Sequence, residues 1–311
     1  MNKIKKVSII VPTYNRNNLL KASIESILKQ EYANIEVIIC DNASSDNTTE
    51  TVNSFDDDRI VYFRQSENIG MARNHNKALE LCTGEYIHIF SDDDIMLQGC
   101  IQKKVDILNL YPSVGLVHSD INIIDGDGIV TSEDHWAKKA WKKWASLHSE
   151  SKLFPNTVYH KYLYRIRNTI AMPSVMIRKG VLDDVGYMDT RLNYLIDLDF
   201  WLKITLFADV YYVNEKLVSY RLYATNVFNT ISKEVHKKEN TIAKNNIKEL
   251  FPHKSIITNS VFQDILQDGG YYTNYNIVNP LNHLIKKAFP FIPFKKIKNF
   301  FGSLKNGANL N

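Results

Sequence analysis

The hydrophobic pattern of the first hundred residues alternates between two periods. "KVSIIV" (6–11), "IEVIIC" (35–40), "RIVYFR" (59–64) and "EYIHIF" (85–90) are short runs rich in β-branched residues, suited to strands buried on both faces. Between them Leu19, Leu20, Ile24, Ile27 and Leu28 recur at helical spacing. Ala72, Ala78, Leu79 and Cys82 do so less regularly, and 47–55 is a shorter helical candidate. Strand and helix in repeated alternation predict a parallel sheet with right-handed crossovers.

Past residue 105 the pattern is mixed. "VGLVHSDINII" (114–124) predicts a strand that ends at the turn "DGDG", and "AMPSVMIRKGVL" (171–182) a strand leading into a turn. "LIDLDFWLKITLF" (195–207) predicts a helix and "ADVYYVNEKLVSYRLY" (208–223) a return to strands. Beyond about 230 the chain reads as helical, with Lys and Asn prominent and no internal repeat. The expected class is α/β, Rossmann-like, with a mostly parallel sheet flanked by helices over 1–230 and a C-terminal helical extension over 231–311.

Composition narrows the function. A chain of 311 residues can hold one large domain, or a domain plus an extension, and its formal net charge of +4 does not suggest a dedicated nucleic-acid binder. Cys40, Cys82 and Cys100 are scattered without a C-x-x-C spacing, which favours buried reduced thiols over a disulfide or zinc framework. The N-terminal apolar run stops at Pro12, too short for a secretory signal, and no stretch reaches the ~18–20 apolar residues of a membrane span. The expected location is cytoplasmic, with room for a peripheral contact at the inner face of the cell membrane.

In parallel sheets ligands bind outside the carboxyl ends of the strands. Three polar groups fall there: "PTYNR", "DNASSDN" and "SDDD". The turn after the first strand lacks the glycines of a dinucleotide site, and no G-x-x-x-x-G-K occurs. Clustered carboxylates offer another way to meet a phosphate charge. Mg²⁺ or Mn²⁺ prefers oxygen ligands and commonly takes one or two carboxylates together with substrate phosphates, a task open to Asp92, Asp93 and Asp94. The competing reading is an acidic turn that caps the next helix.

"VSIIVPTYNR", "VIICDNASSDNT", "ENIGMARNHNKAL", "GEYIHIFSDDD" and "LIDLDFW", in that order, resemble the family 2 inverting glycosyltransferases, which have the nucleotide-sugar-binding GT-A fold. The resemblance spans roughly 4–225. It implies that Pro12, Thr13, Tyr14 and Arg16 line the base pocket and that Asp41 accepts a hydrogen bond from the uracil ring nitrogen. Asn68 and Arg73 would help hold the base or diphosphate, Asp93 would bind Mn²⁺ or Mg²⁺, and Asp92 would face the ribose or assist the metal. Asp94 would serve the following helix. The catalytic base would be Asp197, ahead of Asp199, and Arg221 would meet the diphosphate. The chain departs from the family pattern at Ser91, Ile196 and Tyr223.

The function implied is transfer of a sugar from a UDP-sugar, ahead of a dTDP-sugar, to a glycan or lipid-linked acceptor in bacterial surface polysaccharide assembly. The alternatives are a nucleotidyltransferase and a nucleotide-sugar-binding protein without catalysis. Two basic aromatic segments stand apart. Trp136, Trp141 and Trp144 lie among lysines at 135–152, and 283–306 sets Lys286, Lys287, Lys295 and Lys296 beside Phe289, Phe291 and Phe294. The tail suits an anionic membrane surface or packing on the domain or another subunit. The segment at 135–152 suits a lid over the acceptor, a membrane contact or a packed helix, and the acidic site argues against nucleic acid for both.

Overall fold

Four β-branched runs make the half of the sheet that carries the loops of interest. β1 (Val7–Thr13), β2 (Ile35–Asp41), β3 (Ile60–Arg64) and β4 (Tyr86–Ile89) pair in parallel in the order β3-β2-β1-β4. The computed structural model describes residues 4–132, 148–166, 168–222 and 233–250. Tyr223, the tryptophans of 135–147 and the basic tail 283–306 lie outside the described residues. The described residues through Ile247 belong to one compact unit.

The crossovers are α1 (Asn17–Leu28), α2 (Thr48–Asn53) and α3 (Met71–Leu81). Beyond β4 comes β9 (Val175–Arg178), antiparallel both to β4 and to β6 (Val114–Ile124). Next is β10 (Asp209–Arg221), parallel to β6, and then the two-residue β5 (Ile95–Met96) at the edge. β1, β2, β3, β4, β6 and β10 thus point the same way, as the alternating pattern predicts. β9 runs against them, together with β5 and the short β7 (Val130–Ser132) and β8 (Lys152–Phe154).

Period-2 alternation divides the core between the two faces. Val7, Ile9 and Val11 of β1 and Val37 and Ile39 of β2 join Leu20, Ile24 and Ile27 of α1 and Ile101, Val105 and Leu108 of α4 (Cys100–Leu110). Ile10 and Ile38 face the other way. They join Leu79 of α3, Tyr159 and Leu163 of α5 (Asn156–Ile166) and Trp201 of α7 (Ile196–Phe207). The short α6 (Leu182–Val185) covers the same face. Each such side chain removed fully from water contributes about 1.5–3 kcal/mol; β1, β2 and β4 are buried on both faces, whereas the edge strand β3 is not, with Val61 and Arg64 exposed.

α7 is apolar almost all round, with Leu198, Phe200, Trp201, Leu202 and Ile204 buried, as expected of a helix sunk in the core. The last described element, α8 (Lys233–Leu250), contributes Ile247 to the same cluster.

One close approach sits where β6 passes the start of β10. A Cβ at Gly115 would lie 2.4 Å from the Ala208 Cβ and 2.8 Å from Val181 Cγ1. Gly115→Ala is therefore expected to destabilise the chain by about 1–3 kcal/mol through overpacking, read as a lower urea midpoint with an unchanged slope.

Candidate active site

The acidic turn sits where β4 ends, and β10 holds it from the other side. β5, immediately after the turn, pairs with Val218 and Ser219 of β10, which brings Arg221 alongside. The Arg221 amide donates to Asp94 Oδ1 at 2.7 Å and its Nε donates to the Asp93 carbonyl at 2.7 Å. Nη1 donates to the Asp125 and Gly126 carbonyls, both at 2.8 Å, in the turn after β6. Arg221 is buried and works as a clamp on main chain. Asp94 does not cap α4: its carboxylate takes a β10 amide, and α4 opens at Gly99 without a side-chain cap.

Crowding leaves the turn short of positive charge. Burial, then the neighbouring Asp93, pushes Asp92 up to about 7, while Thr13 and Arg16 pull it down. Burial raises Asp93 against the opposing pull of Arg16 and Arg221, and burial followed by Asp93 raises Asp94 well above the carboxylate range. Asp94 Oδ2 is buried without a hydrogen-bond partner, and Arg16 Nη1 approaches Asp93 Oδ2 at 3.5 Å. Such a site fits a hard divalent cation that takes one or two carboxylates and is completed by substrate oxygens. Among the described residues no group of three or more His, Cys, Asp or Glu is arranged to hold a metal unaided.

Across the sheet, the loops after β1 and β2 interlock. Asn15, in the left-handed region at φ 53°, donates its amide to Ser44 Oγ at 2.9 Å, and its Oδ1 accepts from the Ser45 amide at 2.8 Å. Asp41 is fully buried. Its Oδ1 accepts from the Ser44 amide (2.9 Å) and hydroxyl (2.5 Å), and its Oδ2 from the Tyr62 hydroxyl at 2.8 Å. Arg64 Nε lies 3.3 Å from the same Oδ2. Those donors occupy the acceptor sites a carboxylate has.

Asn68 Oδ1 accepts from Asn42 Nδ2 at 2.8 Å and from the Gly70 amide at 3.0 Å. Pro12 is half-buried, Tyr14 is exposed, and the Thr13 hydroxyl is buried near Asp92 without a well-formed partner. Arg73 is exposed on α3 and has no hydrogen-bond partner among the described residues. The helix instead sends in Asn74, whose Nδ2 donates to the Cys40 carbonyl at 2.7 Å.

Asp197 lies in the first turn of α7. Its Oδ1 accepts from the Leu198 amide at 2.7 Å and its Oδ2 from Asn168 Nδ2. Burial pushes it up to about 6 against those donors. Asp199 is elsewhere: fully buried, it accepts from Asn246 Nδ2 at 2.9 Å and pairs with Lys203 Nζ at 3.5 Å.

The Tyr220 phenol ties the two acidic regions together. Burial raises its pKa first, and then the charges of Asp94, Asp93 and Asp197, which are all within electrostatic reach of that one hydroxyl. Tyr220, Asn168 and Tyr62 escape a reading of the sequence because each acts on a carboxylate distant in the chain. The one local signal is that Tyr220 adjoins Arg221.

The parallel sheet with its acidic turn has the GT-A fold. TarS 1-349 of S. aureus, crystallised with UDP-GlcNAc, aligns with a TM-score of 0.65 at 17% identity over 84% of this chain and 71% of that chain. Residues 8–186 match the sequence profile of Glycosyl transferase family 2, and the chain belongs to that family. An uncharacterized glycosyltransferase of Rickettsia typhi is 28% identical over 280 residues, 87% of this chain and 83% of its own length.

Two relatives with more specific names match over shorter stretches. The UDP-Glc:alpha-D-GlcNAc-diphosphoundecaprenol beta-1,3-glucosyltransferase WfgD of Escherichia coli is 36% identical over 124 residues, 40% of this chain and 49% of that protein. The GalNAc(5)-diNAcBac-PP-undecaprenol beta-1,3-glucosyltransferase of Campylobacter jejuni is 41% identical over 107 residues, 33% of this chain and 35% of that protein.

The strained turn has a measurable consequence. Asp92 is shifted from 3.8 up to about 7, so its contribution to stability is full below the unfolded pKa and lost as pH rises through the folded one. In metal-free buffer the stability of the wild type relative to Asp92→Asn should fall between about pH 4 and about pH 7, followed by urea unfolding at each pH. A flat difference would show that Asp92 ionises as it does in the unfolded chain.

Proposed function

We propose that the chain is a metal-dependent inverting glycosyltransferase that moves a sugar from a UDP-sugar to a glycan or lipid-linked acceptor in bacterial surface polysaccharide assembly. The observation that carries this reading is Asp197, a carboxylate held by Asn168 at the start of α7, shifted up to about 6 and sharing the field of Tyr220 with the acidic turn. A base near that pKa is ionised at neutral pH and still able to take a proton. The E. coli relative is named for UDP-Glc and a diphosphoundecaprenol acceptor, and TarS was crystallised with UDP-GlcNAc; both support the donor and acceptor classes.

In this reading the acceptor hydroxyl attacks the anomeric carbon as Asp197 takes its proton, the bond from that carbon to the phosphate oxygen breaks, and UDP departs with inversion. Mn²⁺ or Mg²⁺, held by Asp93 with Asp92, would supply charge neutralisation on the leaving diphosphate. Arg16, whose Nη1 lies 3.5 Å from Asp93 Oδ2, stands beside the acidic turn where a donor phosphate would meet it. Arg221 supports the diphosphate site by fixing the turn. Pro12, Thr13 and Tyr14 line the base pocket, with Asn68 and Arg73 at its edge. At Asp41 the base N–H would replace the Arg64 contact, the longest of the four.

Among the described residues no helix is long and apolar enough to cross a membrane. Access to a lipid-linked acceptor would then come from peripheral contact on the cytoplasmic side, for which the basic tail 283–306 is the natural segment.

Asp197→Asn should lower transfer by about 10²–10⁴-fold and leave UDP affinity unchanged, with released UDP and calorimetry as the two readouts. Wild-type transfer in that variant would refute the base. Because Asp197 must be ionised, the wild-type rate should fall as pH drops through about 6. Asp93→Ala should abolish the gain in UDP affinity that Mn²⁺ confers, and equal affinity with and without Mn²⁺ in the wild type would count against the metal site.

A further inference from the structure

α8 reaches back to the segment that delivers Asp197. Glu239, 3% exposed, accepts from three consecutive main-chain amides: Asn193 to Oε1 at 3.1 Å, and Tyr194 and Leu195 to Oε2 at 2.9 and 3.0 Å. Leu195 is the residue at which the chain turns into α7, and its carbonyl accepts the first helical bond, from the Asp199 amide at 2.9 Å. Asp197 follows two positions later, so the direction in which its carboxylate leaves the backbone depends on how the chain enters the helix.

A buried carboxylate that accepts main-chain N–H groups makes short, charge-assisted bonds and fixes the backbone that donates them. α7 begins without a side-chain cap of its own, and the three amides ahead of it bond to Glu239. The other hold of α8 flanks the same segment on both sides without touching the 193–195 amides. Asn246 donates to Asp189 Oδ2 at 2.7 Å and accepts from Arg191 Nη2 at 2.6 Å, and its bond to Asp199 serves the buried ion pair with Lys203.

We propose that Glu239 is a positioning residue for the transfer reaction, holding 193–195 so that α7 presents Asp197 to the acceptor hydroxyl. The proposal rests on the reading of Asp197 as the base. It predicts a loss confined to the chemical step, because Glu239 lies on the α7 side of the cleft while the donor is bound by the loops after β1, β2 and β4.

The test is steady-state kinetics of UDP release with Mn²⁺, UDP-glucose or UDP-GlcNAc, and a GlcNAc-diphosphoundecaprenol acceptor. Glu239→Gln should lower kcat about 10–100-fold with donor KM within about twofold, the size expected when a reacting group is displaced by about 1 Å. Its acid limb should move below that of the wild type as Asp197 gains solvent, and Glu239→Asp, which keeps the charge, should recover part of the rate. A folded Glu239→Gln that keeps the wild-type kcat and acid limb overturns the proposal, even if its melting temperature falls.

Should the variants not fold, hydrogen exchange on the wild-type chain decides. Protected amides at 193–195 support the hold, and exchange at the rate of a free loop overturns it. Asp197→Asn separates the two layers: wild-type transfer in that variant refutes the base, whereas an inactive Asp197→Asn beside an unaffected Glu239→Gln refutes the positioning role alone.

Discussion

Three carboxylates in a row at the end of a buried strand repel one another, and the site is organised around containing that repulsion. Containment comes from β10. The pairing of β5 with Val218 and Ser219 carries Arg221 to the turn, where its amide satisfies Asp94 and its guanidinium ties the Asp93 carbonyl to the turn after β6. The clamp fixes geometry more than it cancels charge, since most of its donors go to carbonyls. Asp92, Asp93 and Asp94 all stay above the ordinary carboxylate range, and Asp94 Oδ2 stays unpaired. Raised pKa values mean that the turn favours taking up protons over carrying three charges, and a divalent cation is the kind of group that would reverse that balance. Ser91 belongs to the same economy of charge: a hydroxyl there eases the burial of Asp94, where a fourth acid would add to the repulsion.

The same logic separates the two acids of "LIDLDFW". α7 is sunk in the core, so any polar group on it must find a partner or change its protonation. Asp199 finds partners in Lys203 and Asn246, and Lys203 in turn donates to the Tyr187 carbonyl at 2.6 Å. Asp197 has an amide and Asn168; burial raises both acids, Asp197 to about 6 and Asp199 against the pull of Lys203 and Asn246. Asp199 is thereby tied to α8, while Asp197 is held at the start of α7 by Asn168.

Much of the architecture was legible in the sequence. The β-branched runs became β1 to β4, 114–124 became β6 residue for residue, and the helix at 195–207 begins one residue later than expected. For β1, β2 and β4 this succeeds because burial on both faces requires an apolar residue at nearly every position of a central strand, whereas β3, expected to be buried on both faces, lies at the sheet edge with Val61 and Arg64 exposed. The carboxylates were legible as a group because adjacent like charges are rarely placed at a strand end without a use. The partners of each acid were not legible: Tyr62 lies 21 residues from Asp41, Asn168 lies 29 from Asp197, and the Arg221 amide lies 127 from Asp94. Periodicity reports how a segment meets the core, and it carries no information about which distant polar group will stand opposite.

The sequence alone determined the α/β alternation, the three polar loops at the strand ends and the identity of the acids, since all of these depend on local spacing and residue chemistry. Only the tertiary structure decided what each acid does. Asp41 is taken up by Ser44, Tyr62 and Arg64, Asp94 gains a β10 amide and Asp199 the Asn246 side chain of α8, while burial raises Asp92, Asp93, Asp94, Asp197 and Asp199 to different extents. A carboxylate's character is set by the donors and the solvent around it, and in a folded sheet those are assembled from strands and helices far apart in the chain.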